Sequence, residues 1–125
     1  MNTILAVALG GALGSVGRYL VVDGMGRLTG PAFPWGTMTV NGVGGFAIGL
    51  LAGLFAAHQG LAEWRYFLVT GVLGGFTTFS AFSLDAVALA QRGAWADAAL
   101  YVGGSVVVSL AGTVAGFWLA RTVTT

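Results

Sequence analysis

The chain has no cysteine, which excludes disulfides and thiolate metal sites. It has no lysine, and its five arginines nearly balance four acids. A formal net charge of +1 gives no support to nucleic acid or an acidic polymer as partner. One histidine, His58, falls in an expected loop, which leaves little room for histidine chemistry and no Ser–His pair at depth. Charged residues make up 7% of the chain, against roughly a quarter in soluble domains. The hydrophobic share is 57% and the mean hydropathy +0.90 over 125 residues. That balance predicts a membrane-embedded protein. The N-terminal stretch lacks a basic leader region and reads as a first span.

Four apolar segments run about 3–22, 35–57, 64–91 and 96–121, each meeting the length of about 20 residues that a bilayer asks. The connectors are short, and the whole chain, 1–125, reads as one transmembrane domain. Arg18, Arg27 and Arg92 lie at or near the loops after spans one and three, and Arg65 and Arg121 lie opposite. Three against two favours neither orientation. Such a chain either follows the charge rule noisily or inserts both ways and pairs antiparallel. Four helices are a thin bundle for a pore, which favours a dimer.

The third segment carries the least helical stretch, Gly74-Gly75-Phe76-Thr77-Thr78-Phe79-Ser80. Paired glycines and paired threonines disfavour a continuous helix. A break at 74–79 survives in lipid only when buried in protein or lining a wet cavity. It exposes carbonyls on one side and helix N–H groups on the other, the groups that ion sites use. After the break, Phe79, Phe82 and Ser83 share a helix face beside Ser80. Phenyl ring edges are electropositive and can face an anion, although most such rings simply pack.

Other polar residues sit inside the spans. Asn41 is four after Thr37, and Gly45, Gly49 and Gly53 extend that face. The amide is either an interhelical hydrogen bond or a polar lining. Tyr101, Ser105, Ser109 and Thr113 form one hydroxyl ridge on the fourth span, open to an ion or bonded back to their own helix. Arg18, near the end of the first span, is either a snorkelling anchor or a cation at the mouth of an anion path. Gly10, Gly11, Gly14 and Gly17 read as helix-packing faces.

Three motifs in order carry a family signal: Gly10-Gly11-x-x-Gly14-Ser15-x-x-Arg18-Tyr19, Pro34-Trp35-Gly36-Thr37-Met38-Thr39-Val40-Asn41-x-x-Gly44, and Gly71-x-x-Gly74-Gly75-Phe76-Thr77-Thr78-Phe79-Ser80-x-Phe82-Ser83. Together they closely resemble the Fluc/CrcB family of fluoride channels, over nearly the whole chain. The resemblance implies an all-α membrane protein with four transmembrane helices, the third broken mid-membrane, assembled as an antiparallel dual-topology homodimer in the cell inner (plasma) membrane. It implies passive export of fluoride through two pores per dimer. It implies a structural sodium ion at the dimer interface, held by the carbonyls of Gly74 and Thr77. The fluoride path would use Phe79, Phe82, Asn41, Ser80, Ser83, Thr37, Tyr101 and Ser105, with Arg18 at the vestibule. Ala81 stands where the family often has threonine, and Asp85 where glutamate is usual. Partners would be a second copy, fluoride and lipid, with no nucleic acid and no enzymatic role. Two rival expectations are a small proton-coupled multidrug exporter, with Asp85 as its membrane carboxylate, and a non-transporting accessory subunit.

Overall fold

The computed structural model describes residues 2–125. Its described residues are all helical or loop, in four helices long and apolar enough to cross a membrane. The protein is therefore a multi-pass inner-membrane protein.

Helix α1 runs Thr3–Thr29. Asn2 caps it, its Oδ1 accepting from the Ile4 N–H at 2.9 Å. The helix continues seven residues beyond the expected end at Val22 (29 − 22). Asp23 and Arg27, which read as loop residues, are one turn apart and joined Nε to Oδ2 at 2.9 Å. Gly30, at φ 77°, then ends the helix with a backbone conformation that suits glycine. Helix α2 runs Trp35–Ala57 and is followed by a short 3-10 turn, Gln59–Leu61.

The third span, Tyr66–Gln91, is in two pieces. The first, α3, is π-wound over Tyr66–Leu73 and closes with one α-turn, Gly74–Phe76. Thr77 and Thr78 are extended, at φ/ψ of −83°/156° and −153°/120°. Helix α4 then runs Phe79–Gln91. The paired glycines are thus still helical, and the two threonines carry the break. Gly93, again at φ 77°, turns the chain into α5, Trp95–Thr124.

Two helix pairs make the bundle, α1 against α3 and α2 against α5. Glycine lets both pairs approach backbone to backbone. A Cβ on Gly45 would lie 2.7 Å from the Ser109 carbonyl oxygen, and one on Gly14 would lie 2.8 Å from the Phe76 nitrogen. Such small-residue seams are how helices associate in lipid, where apolar burial between them drives nothing. Little else is interior. Leu89, Ala98 and Tyr101 form the one tight apolar cluster given by the described residues, with Phe33 and Phe82 against it. Most large apolar side chains face outward, as lipid or a partner requires.

Candidate functional site

The break is held from across the bundle. The side chain of Asn41, on α2, meets the backbone of Thr78 twice. Its Oδ1 accepts from the Thr78 N–H at 2.8 Å, and its Nδ2 donates to the Thr78 carbonyl at 3.0 Å. Thr78 in turn caps α4, its Oγ1 accepting from the Ala81 N–H at 3.1 Å. The Thr77 hydroxyl donates to the Leu73 carbonyl at 2.8 Å. In an unbroken helix the Gly74 carbonyl would receive the Thr78 N–H, and the Thr77 carbonyl the Ala81 N–H. Both donors are committed elsewhere. The carbonyls of Gly74 and Thr77 therefore lose their regular helical partners.

Beside the break lies a groove of about 420 Å³. Asn41, Gly74, Thr77, Phe79, Phe82 and Ser105 all line it. Those six expected residues come from α2, the end of α3, the break, α4 and α5, and only the fold brings them together. Phe79 is 79% exposed at the rim, and its ring centroid lies 5.5 Å from that of Phe82. Phe82 rests on Tyr101, with centroids 5.3 Å apart. Ser105 is the most telling lining residue. It is 5% exposed, and its Oγ has no hydrogen-bond partner among the described residues. A buried hydroxyl without a partner is costly in any medium and more so in lipid. The N-terminal turn of α4 also opens at this groove through Thr78 and Phe79 and adds spare N–H groups there.

The remaining expected residues do not line this groove. The Tyr101 side chain is fully buried behind Phe82, and its hydroxyl donates to Asp85 Oδ2 at 3.1 Å. Thr37 is buried one turn before Asn41. Ser80 is exposed, its Oγ 3.3 Å from that of Thr78. Ser83 donates back to the Phe79 carbonyl at 2.9 Å. Arg18 sits well inside α1, half-buried, with no ion pair among the described residues. The hydroxyl ridge of α5 divides: Tyr101 bonds Asp85, Ser105 is unpartnered, and Thr113 bonds back to the Ser109 carbonyl at 2.9 Å.

Other lining residues were outside the expected path, Thr78 and Gly44 among them, and Ser109 was placed only on the hydroxyl ridge. Thr78 had a legible signal, a threonine directly before an apolar helical run, which is a helix-cap signature. Gly44 had none on its own, because its role is to leave room for the Thr77 methyl group. No cluster of three or more His, Cys, Asp or Glu side chains exists among the described residues, which bears on side-chain metal sites only. The break leaves the four carbonyls from Gly74 to Thr77 without their regular helical partners. Carbonyls are hard oxygen ligands, and those of Gly74 and Thr77, at its two ends, suit an alkali cation.

A four-span inner-membrane protein with a span broken beside a groove has the architecture on which membrane ion and solute sites are built. Comparison with known proteins narrows that reading. The family profile described as "CrcB-like protein, Camphor Resistance (CrcB)" matches residues 5–117. The "Fluoride-specific ion channel FluC" of Rhodospirillum centenum is 56% identical over 124 residues, covering 98% of this chain and 98% of that protein. The protein of the same name from Agrobacterium fabrum is 58% identical over 122 residues, 97% of this chain and 98% of its own. That of Caulobacter vibrioides is 50% identical over 126 residues, 98% of each. The chain belongs to the CrcB/FluC family. That is a family of ion channels and not of enzymes.

Proposed function

We propose that this protein is a fluoride-selective passive channel that lets fluoride leave the cytoplasm. In this reading it works as an antiparallel, dual-topology homodimer with two pores. The observation that carries the proposal is the groove that Ser105, whose buried hydroxyl has no partner among the described residues, lines together with Phe79, Phe82 and Asn41. Fluoride is small and strongly hydrated, so a path for it must replace water with donors at close quarters. Ser105 offers an O–H, the first turn of α4 offers N–H groups, and the two rings offer electropositive edges. Chloride is larger and gains less from each donor, so a narrow path of this kind discriminates against it.

Several features support the dimer. The groove is open on one side, Phe79 projects from its rim, and large apolar residues surround it. A second copy would close it. The released Gly74 and Thr77 carbonyls would hold the structural sodium ion where the two breaks cross, two ligands from each copy. Bound there, the cation would supply positive charge near an anion path. Ser80, Ser83, Thr37 and Tyr101 would belong to the flanking parts of the path, and Arg18 to its vestibule. The exporter reading, which needs Asp85 as a free carboxylate, gains nothing from a carboxylate bound to Tyr101.

Purified protein in liposomes tests the proposal. Fluoride should leave rapidly without a proton gradient while chloride stays inside. Chloride efflux at a comparable rate would remove the selectivity.

A further inference from the structure

We propose that Asn41 is the positioning residue that makes the break in the third span. It holds the Thr78 peptide open from α2 and so releases the Gly74 and Thr77 carbonyls. This is a second task beside any contact with the passing anion.

Local sequence explains the break poorly. Gly74 and Gly75, the weakest helix formers in the stretch, are in helical turn Gly74–Phe76. The extended residues are Thr77 and Thr78, whose helix propensity is only modestly below average. In lipid, exposed peptide groups are driven back into helical pairing. Something outside the segment must satisfy the Thr78 peptide, and the Asn41 amide does so at both ends, 2.8 Å to the N–H and 3.0 Å to the carbonyl. An amide is suited to this, since it carries a donor and an acceptor side by side. An ionised aspartate has no donor, and leucine has neither.

The consequences follow in order. With its N–H on Asn41, Thr78 cannot return that donor to Gly74. With its carbonyl held, Thr78 stays extended, which leaves its side chain free to cap Ala81. That cap removes the donor the Thr77 carbonyl would receive. One side chain thus accounts for the bare carbonyls of Gly74 and Thr77. A second feature of α2 works to the same end. Gly44, three residues on, has no side chain and admits the Thr77 methyl group, which any larger residue would displace.

The test compares wild type with Asn41→Leu in lipid bilayers. Carbon-13 shifts of Thr77 and Thr78 by solid-state NMR report extended or helical backbone directly. In wild type both should be extended, and in Asn41→Leu they should move to helical values. Extended shifts in the variant would overturn the proposal and leave Asn41 a pore ligand only. The cation part rests on the proposed channel reading and has its own readout, the sodium concentration giving half-maximal thermal protection, with choline chloride as control. Asn41→Leu should raise it at least tenfold. An unmoved half-point beside helical shifts would overturn the carbonyl part. Wild type without sodium protection or fluoride efflux would sink the channel reading, while the shift comparison still decides the role of Asn41.

If Asn41→Leu does not fold, Phe79→Pro is added to it. Proline at the first position of α4 forces the preceding residue into extended backbone and so installs the break without the amide. Recovery of folded protein by that pair supports the proposal. No recovery overturns it, because Asn41 would then hold the molecule by some means other than the break.

Discussion

At the scale of single residues, Ser105 and Tyr101 show side-chain hydroxyls of opposite kinds, one without a partner and one bonded. Ser105 is buried and unpartnered, so its hydroxyl costs stability in the resting protein. Ser105→Ala should leave stability unchanged or raise it by about 1 kcal/mol, by removing an unsatisfied polar group. Fluoride efflux should nonetheless fall, by roughly tenfold if one hydrogen bond to the anion is lost. A stability loss with unaltered efflux would show Ser105 to be a packing residue. Tyr101 is the opposite case. Its hydroxyl donates to the half-buried Asp85 carboxylate, and Tyr101→Phe removes that bond. Thermal unfolding in detergent should show a loss of about 1–3 kcal/mol. Phe82→Ile removes the ring edge at the groove and keeps apolar bulk. Efflux should slow with the protein intact, and unchanged efflux would remove Phe82 from the path.

At the scale of elements, seams of glycine set the geometry. Gly75 on α3 faces α1 closely, where a Cβ would lie 3.0 Å from the Ser15 nitrogen. Gly75→Val should force α1 and α3 apart and cost on the order of 1–3 kcal/mol, as overpacking does in tight interiors. Thermal unfolding of the purified variant checks it. Gly103, with open space around the position of a Cβ, is the control and should tolerate alanine.

Much of this level was legible in the sequence, for reasons that also mark its limits. Hydropathy located the spans because lipid demands long apolar runs. It failed at the end of α1, because Asp23 and Arg27 look like loop residues until their one-turn spacing is seen as a bonded pair. The break was legible in position but not in cause. Propensity pointed to the paired glycines and the paired threonines alike; the glycines complete a turn, the threonines open, and a residue 37 positions away holds the peptide that opens. No local pattern carries that pairing. The ridge on α5 was legible as spacing, but which hydroxyl stays free depends on Asp85 from another helix.

At the scale of the whole molecule, one chain presents an open groove and an almost neutral charge bias across the membrane. Arg18, Arg27 and Arg92 fall toward one side, and Arg65 and Arg121 toward the other. Orientation follows the arginine and lysine balance near the span ends, so a difference of one leaves both insertions accessible. Arg92 is further engaged, its Nη2 donating to the Ala32 carbonyl at 3.1 Å, which ties the two connectors on that side together. Antiparallel pairing then becomes a testable consequence of charge. Gln59→Lys with Gly60→Lys should bias the chain one way, and Gln91→Lys with Thr29→Lys the other. All four positions are solvent-exposed ends or turns, so folding should be little affected. If the proposed antiparallel pairing forms the channel, each biased variant alone should lose fluoride efflux. The two made together in one cell should restore it. Full activity from either variant alone would show that the channel needs no opposed partner, and the dual-topology reading would fall while the family membership stands.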